Sequence, residues 1–117
     1  MISAFQSALS GLYSFGTKID SISNNIANTN TDGFKKTRVI LEAANPSGVK
    51  PQIEKINTPG PEVFQEGSEK PDLTELSNVD LSRELPGMYL NSHMYRANLK
   101  TIETVDNMLG SLLEIKS

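Results

Sequence analysis

His93 is the single histidine in the chain, and a helical histidine does proton-transfer or ligand work when a carboxylate or a second ligand lies within a turn of it. Its neighbours at helical spacing are Tyr89, Leu90, Arg96 and Ala97, and none is either. Serines are plentiful, yet none stands in the strained Gly-x-Ser-x-Gly turn of a hydrolase, and Gly11 and Gly16 form no phosphate loop. Glu103 and Asp106 lie three apart, which on a helix makes a solvated acidic face. With no cysteine, thiolate catalysis, disulfides and cysteine-ligated zinc all fall away. These residues describe a non-enzyme with no catalytic, cofactor-binding or metal-ligating residues, no cofactor and no small-molecule substrate.

What does stand out is neutral polarity. Between Met1 and Thr31 only Lys18 and Asp20 are charged, while Ser3, Gln6, Ser7, Ser10, Ser14, Thr17, Ser21, Ser23, Asn24, Asn25 and Asn28 supply hydroxyls and amides. A lone solvated helix ordinarily carries interspersed Glu and Lys. Hydroxyls and amides are far less costly to bury than charges when hydrogen-bonded, so this face suits a contact with another subunit. The plainer alternative is a solvated face of weak helix formers.

The element carrying these residues is set by Phe5, Ala8, Leu12, Phe15, Ile19, Ile22 and Ile26, whose alternating steps of three and four predict a helix with one heptad seam. Asn24 and Asn25 follow Ile22 and should point away from that seam. The helix should stop between Asn30 and Gly33, with Gly33 left-handed and Phe34 folding back on the last turn. From Lys35 to Leu41 the chain should run extended.

Pro46, Pro51, Pro59, Pro61 and Pro71, with Gly48, Gly60 and Gly67, exclude a long helix between Glu42 and Ser77. Val49, Pro51 and Ile53 alternate as one short edge strand. Thr58-Pro59-Gly60-Pro61 has the signature of a type II turn, and Glu62 to Glu75 is acidic, poor in apolar residues and expected to be partly mobile. Ser77-Asn78-Val79-Asp80 then opens a second helix with Asp80 as its cap. Leu81, Met88, Tyr95, Ile102 and Leu109 recur every seven residues, flanked by Leu85, Leu99 and Leu113 and later by Val105 and Leu112. Pro86-Gly87 predicts a kink or restart, with the continuous helix running from about Pro86 to Ile115.

Two seams at opposite ends of one chain are satisfied by pairing antiparallel. The expected fold is mainly α: a long antiparallel two-helix hairpin or coiled coil of the N- and C-terminal helices, with a short extended, Pro-rich middle. Its seam would hold Phe5, Leu12, Phe15, Ile19, Ile22, Ile26, Leu99, Ile102 and Leu109. The segments are 1–33, 34–79 and 80–117, within one structural domain, which is what 117 residues accommodate.

A net charge of -3 and a pI near 5.1, with only Lys35, Lys36 and Arg38 as a short basic cluster, exclude nucleic acid as a partner. No run approaches the ~18 apolar residues of a membrane span. Met1 to Phe5 lacks a basic leader, so no Sec signal is expected. Phe5, Leu9, Leu12 and Phe15 make an apolar face, but Lys18 is the lone basic residue opposite it, against direct membrane insertion.

Ala8-Leu9-Ser10-Gly11-Leu12, Ile22-Ser23-Asn24-Asn25-Ile26-Ala27-Asn28 and Asn30-Thr31-Asp32-Gly33-Phe34-Lys35-Lys36 resemble the N-terminal signature of the bacterial flagellar rod and hook axial proteins. Ser77-Asn78-Val79-Asp80-Leu81 and Tyr95-Arg96-Ala97-Asn98, with Ile102, Thr104 and Met108, resemble that family's C-terminal segment. The resemblance implies a structural subunit of the basal-body rod, exported by the flagellar type III apparatus and polymerising through its terminal helices with copies of itself and other rod and hook axial subunits. It implies a cytoplasmic stage before export and a final place in the periplasm-spanning rod, in the service of motility. It also implies an assembly interface of Asn24, Asn25, Asn28, Thr31, Gly33, Phe34, Tyr95, Ala97 and Asn98. The short length is most similar to the proximal rod proteins of the FlgC type. The alternative is a soluble helical adaptor or accessory protein derived from the same family.

Overall fold

The computed structural model describes residues 2–67, 69 and 72–116; Met1, Ser68, Lys70, Ser117 and Pro71, with the helix-breaking role expected of that proline, lie outside the described residues. The order is α1 (Ile2–Ala27), β1 (Thr37–Ala43), β2 (Val49–Lys55), β3 (Glu62–Gln65), β4 (Asp72–Glu75) and α2 (Leu81–Lys116). The molecule is a rod of 82 × 24 × 17 Å.

The two helices pair antiparallel: Asn98 lies over Gly11, Tyr95 over Gly16, Ile22 beside Gly87, and Asn25 reaches Glu84. This register sets Ile2 across from about residue 108, so roughly the last nine residues of α2, ~14 Å, run on past the start of α1.

The composition of the seam differs from the expected one. Phe5, Leu12, Phe15, Ile19, Ile22, Ile26 and Ile102 are half-buried, but Leu99 and Leu109 are exposed. On α2 the less exposed row alternates Met88, Tyr95 and Ile102 with Asn91, Asn98 and Val105. The asparagines fit there because each turns its amide onto its own helix, Asn91 Nδ2 donating to Gly87 O at 2.7 Å and Asn98 Nδ2 to Met94 O at 3.0 Å. On α1 the buried positions are Ala8, Gly11, Ser14 and Asn25, all small or amide residues.

α2 is also continuous through Pro86, so the expected break is corrected. Proline in the second turn removes the one amide that would have reached the exposed Ser82 carbonyl, a group that water can satisfy. Asp80 caps the helix as expected, its Oδ1 accepting from Ser82 N at 3.0 Å and from Ser82 Oγ at 2.6 Å. The hydroxyl and amide of Ser82 hold the Asp80 carboxyl below the usual carboxylate range.

The middle holds more than the lone edge strand expected of it. It forms two antiparallel hairpins, β1–β2 registered from Thr37 opposite Lys55 to Ala43 opposite Val49, and β3–β4 from Glu62 opposite Glu75 to Gln65 opposite Asp72. Pro51 is tolerated for a geometric reason. Ile56 N donates to Lys36 O and Ala44 N to Gly48 O at the two ends of the first ladder, so the even-numbered β1 residues form the hydrogen-bonded pairs. Pro51 sits opposite Leu41, in a pair that needs no donor.

Gly33 takes the left-handed conformation expected of it, at φ 71°, as do Gly48 and Gly67. Gly60 does not, which rules out the type II turn at Thr58 to Pro61. Its lack of a side chain serves a close approach instead: a Cβ there would lie 2.1 Å from the Leu76 carbonyl oxygen.

Very little apolar surface is enclosed. Among the described residues the buried apolar side chains are Ala8, Val39 and Val105, while 19 large hydrophobic side chains are exposed.

Candidate assembly surface and the polar junction that positions it

Three crossings of the chain meet where α1 ends, and asparagine side chains tie them together. An asparagine amide carries a donor and an acceptor side by side, so it can pair with a backbone residue as a strand would. Asn25 does this to Thr37: Nδ2 donates to Thr37 O at 2.8 Å and Oδ1 accepts from Thr37 N at 3.0 Å. Its Nδ2 also lies 3.4 Å from Glu84 Oε1 on α2, and the residue is 1% exposed. Asn78 performs the equivalent task from the other side, Oδ1 accepting from Lys36 N at 2.7 Å and Nδ2 donating to Ile56 O at 2.9 Å and Thr58 O at 3.0 Å. Glu75 closes the third side. Its carboxylate pairs with Lys35 and accepts from Gly60 N at 3.0 Å, while its carbonyl accepts from Gly33 N at 2.9 Å.

The Lys35 ammonium and the Gly60 amide hold the Glu75 carboxyl below its usual range. A carboxylate whose folded pKa is depressed stabilises the fold above its unfolded pKa, and that contribution disappears as pH falls through the folded value. Stability is therefore expected to fall with acidification below about pH 4, with both Glu75 and Asp80 contributing. Glu75→Gln should flatten the acid limb of a denaturant-midpoint against pH curve, and an unchanged limb would show that this carboxylate does not hold the junction.

From this junction the β1–β2 hairpin lies back along α1. Ser21 Oγ and Thr37 Oγ1 are 2.7 Å apart at its root; near its tip Val49 N donates to Ser10 Oγ at 3.1 Å, and Gly48 lies over Ser10. Seven paired residues per strand span about 24 Å, and the helix from Asn25 to Ser10 about 22 Å, so the two elements match in length. Part of the neutral polar face of α1, Ser7, Ser10, Ser21 and Asn25, is thus covered from within the chain. It meets the chain's own hairpin, an alternative that helical periodicity alone does not present.

This placement corrects the outward orientation expected of Asn25, which is enclosed between α1, β1 and α2. Asn24 is exposed, and Asn28 leans on it through Nδ2 to Asn24 O at 2.9 Å. Thr31 and Gly33 are exposed and Phe34 is half-buried. On α2, Ala97 is exposed, whereas Tyr95 and Asn98 are half-buried against Gly16 and Gly11. The two groups are not brought together: in the helix register Asn98 stands about 20 Å along α1 from Asn25. Each marks a different station on one rod.

Exposed residues do line up elsewhere. Ile2, Gln6, Leu9, Tyr13, Asp20, Asn24 and Ala27 run down one side of α1 with a single charge among them. The overhanging end of α2 exposes Met108, Leu109, Leu112, Leu113 and Ile115. Asn78, Glu75 and Lys35, which fix the hairpins against the helices, were not distinguishable as positioning residues in the sequence. The available signal was the pairing of Asn25 with Asn78, two amides at the inner ends of two helices, where the crossing chain leaves backbone groups to satisfy.

Comparison with known proteins accords with this arrangement. The family described as flagella basal body rod protein matches residues 5–35, covering α1 and its closing turn, and the one described as flagellar basal body rod FlgEFG protein C-terminal matches residues 73–115, covering β4 and α2. The flagellar basal-body rod protein FlgG of Bacillus subtilis is 56% identical over 42 residues, 36% of this chain and 16% of that protein. The flagellar hook protein FlgE of Caulobacter vibrioides is 44% identical over 50 residues, 43% of this chain and 8% of that protein. The matches thus span a small part of those longer relatives, and the FlgC-type assignment suggested by length finds no support in them. Both ends of the chain, in the right order and on the two paired helices, match flagellar basal-body rod families, and with the two relatives they support the bacterial flagellar rod and hook axial family for this chain.

Proposed function

We propose that the protein is a structural subunit of the flagellar basal-body rod that polymerises through its terminal helices and serves motility. The observation that carries this reading is the contrast, among the described residues, between three buried apolar side chains and 19 exposed large ones, concentrated on the two helices. Monomeric proteins rarely present contiguous apolar surface on that scale, and a continuous helix end bearing Leu109, Leu112, Leu113 and Ile115 needs cover. Its partners are other rod and hook axial subunits and copies of itself. It passes the flagellar type III export apparatus from the cytoplasm and takes its place in the periplasm-spanning rod; no helix among the described residues is long and apolar enough to cross a membrane. Its role is mechanical, with no catalytic chemistry.

Leu113 is 70% exposed, so Leu113→Asp should change the stability of the isolated chain by less than about 0.5 kcal/mol while abolishing swimming on soft agar. Normal swimming by that variant would remove the helix end from the assembly surface. Mass spectrometry of isolated hook-basal bodies tests the location, and a protein found in the cytosol of motile cells but never in those particles would be an accessory factor.

A further inference from the structure

The β3–β4 ribbon touches no other helix or strand among the described residues. Two four-residue strands on their own are marginal in water, and this pair displays Phe64 opposite Leu73, 69% and 53% exposed, with Val63 at 44% on the other face. Leu76 N donates to Pro61 O just below the strands, which makes Phe64 and Leu73 a non-hydrogen-bonded pair, where facing side chains stand closest. They form one apolar knob. The chain around it, Glu62 to Glu75, carries five carboxylates against one lysine, and of the five only Glu75 is held in an ion pair among the described residues.

The complementary surface is on the same molecule. Where α1, α2 and the root of β1 meet there is a cleft of about 540 Å³ with Lys18, Lys36, Arg38 and Arg83 in its wall and Glu84 as its one carboxylate. Lys18 and Lys36 make no ion pair among the described residues, and the partners of Arg38 and Arg83, Glu54 and Asp80, are surface pairs of the kind that exchange readily. Ile22, Val39 and Ile56 also line this cleft, so it offers apolar contact together with a positive wall.

We propose that the β3–β4 ribbon of one copy seats Phe64 and Leu73 in the basic cleft of a second copy, its carboxylates facing Lys18, Lys36, Arg38 and Arg83. The charge signs select this acidic occupant over any basic or neutral one. The contact joins two different surfaces, so it is heterologous and propagates along an assembly instead of closing a dimer. It rests on the reading of the chain as an assembling subunit, and it adds a contact made by the middle of the chain, independent of the helix ends.

The absence of native cysteines makes the test direct. Full-length Gln65→Cys on the ribbon is mixed with full-length Arg83→Cys at the cleft under mild oxidation. The mixed disulfide dimer should form at least about tenfold faster than between Gln65→Cys and Thr101→Cys, a control on the exposed face of α2, and it should slow as salt is raised. In sedimentation, Glu66→Lys/Asp72→Lys and Lys18→Glu/Arg38→Glu should each lose self-association, and the mixture of the two should regain it. A disulfide formed only within one chain carrying both cysteines, or self-association unchanged in both charge-reversed variants, overturns the ribbon-and-cleft contact and leaves the helix-end reading standing. Swimming by Leu113→Asp overturns the helix-end reading, whatever the ribbon does.

Discussion

Asn25→Leu is expected to lower the unfolding free energy of the isolated chain by about 2–4 kcal/mol, a drop in melting temperature on the order of ten to twenty degrees. Leucine is close in size, so the loss is not chiefly one of packing. It removes a donor and an acceptor from a residue that is 1% exposed, and it strands Thr37 N and Thr37 O in a site the side chain itself keeps dry. Asn25→Asp should recover little, because it keeps the acceptor for Thr37 N, loses the donor, and sets a second carboxylate beside Glu84. Asn24→Leu, one residue away and exposed, should change stability by less than about 0.5 kcal/mol. A melting curve for Asn25→Leu that overlays the wild type would mean that Thr37 finds other partners and that the junction does not depend on this amide.

The second large effect is expected at Gly60. A methyl there meets Leu76 O at 2.1 Å and the carbonyl carbons of Leu76 and Ser77 at 3.0 Å, all backbone atoms that no rotamer change can withdraw. Gly60→Ala should therefore cost about 3 kcal/mol or more, at the upper end of overpacking effects. Hydrogen exchange gives its signature: the amides of Gly33, Gly60 and Leu76 should lose protection together, while the middle of the α1–α2 pair keeps it. Gly67→Ala is the comparison. Among the described residues nothing lies within 4 Å of its Cβ position, and its φ of 127° is what opposes a side chain there, so about 1 kcal/mol is expected. Equal effects at the two glycines would remove steric closeness at Leu76 as the cause.

The parts of the fold legible in the sequence are those governed by local chemistry. The long apolar periodicities give both helices, Asp80 gives the cap of α2, and Gly33 gives the left-handed exit from α1. Each depends on residues within a turn of one another. The middle was less legible because its strands are short and one carries a proline. Pro51 signals an edge, but only the ladder parity set by Lys36 with Ile56 and Ala44 with Gly48 shows that its partner strand asks nothing of it. Asn25 was misplaced for a related reason. A helix covered on one face has one stripe, and α1 is covered on two, by α2 and by the β1–β2 hairpin. Its apolar row alone therefore cannot tell which polar residues face solvent. Asn91 was passed over, and Asn98 was read as an assembly residue and not as part of the seam, because an apolar-row reading passes over amides that bond within their own helix.

The small enclosed core has a calorimetric consequence. The heat-capacity change of unfolding follows the apolar area that water gains, and a lone chain whose buried apolar side chains among the described residues are Ala8, Val39 and Val105, with the seam row half-buried, has little to release. Its stability curve should be shallow, varying weakly between cold and warm conditions. The large negative heat-capacity change typical of burying a protein core should appear when chains join. Stability then becomes a function of subunit concentration, and the melting temperature of a dilute sample will report on the junction residues far more than on the rod.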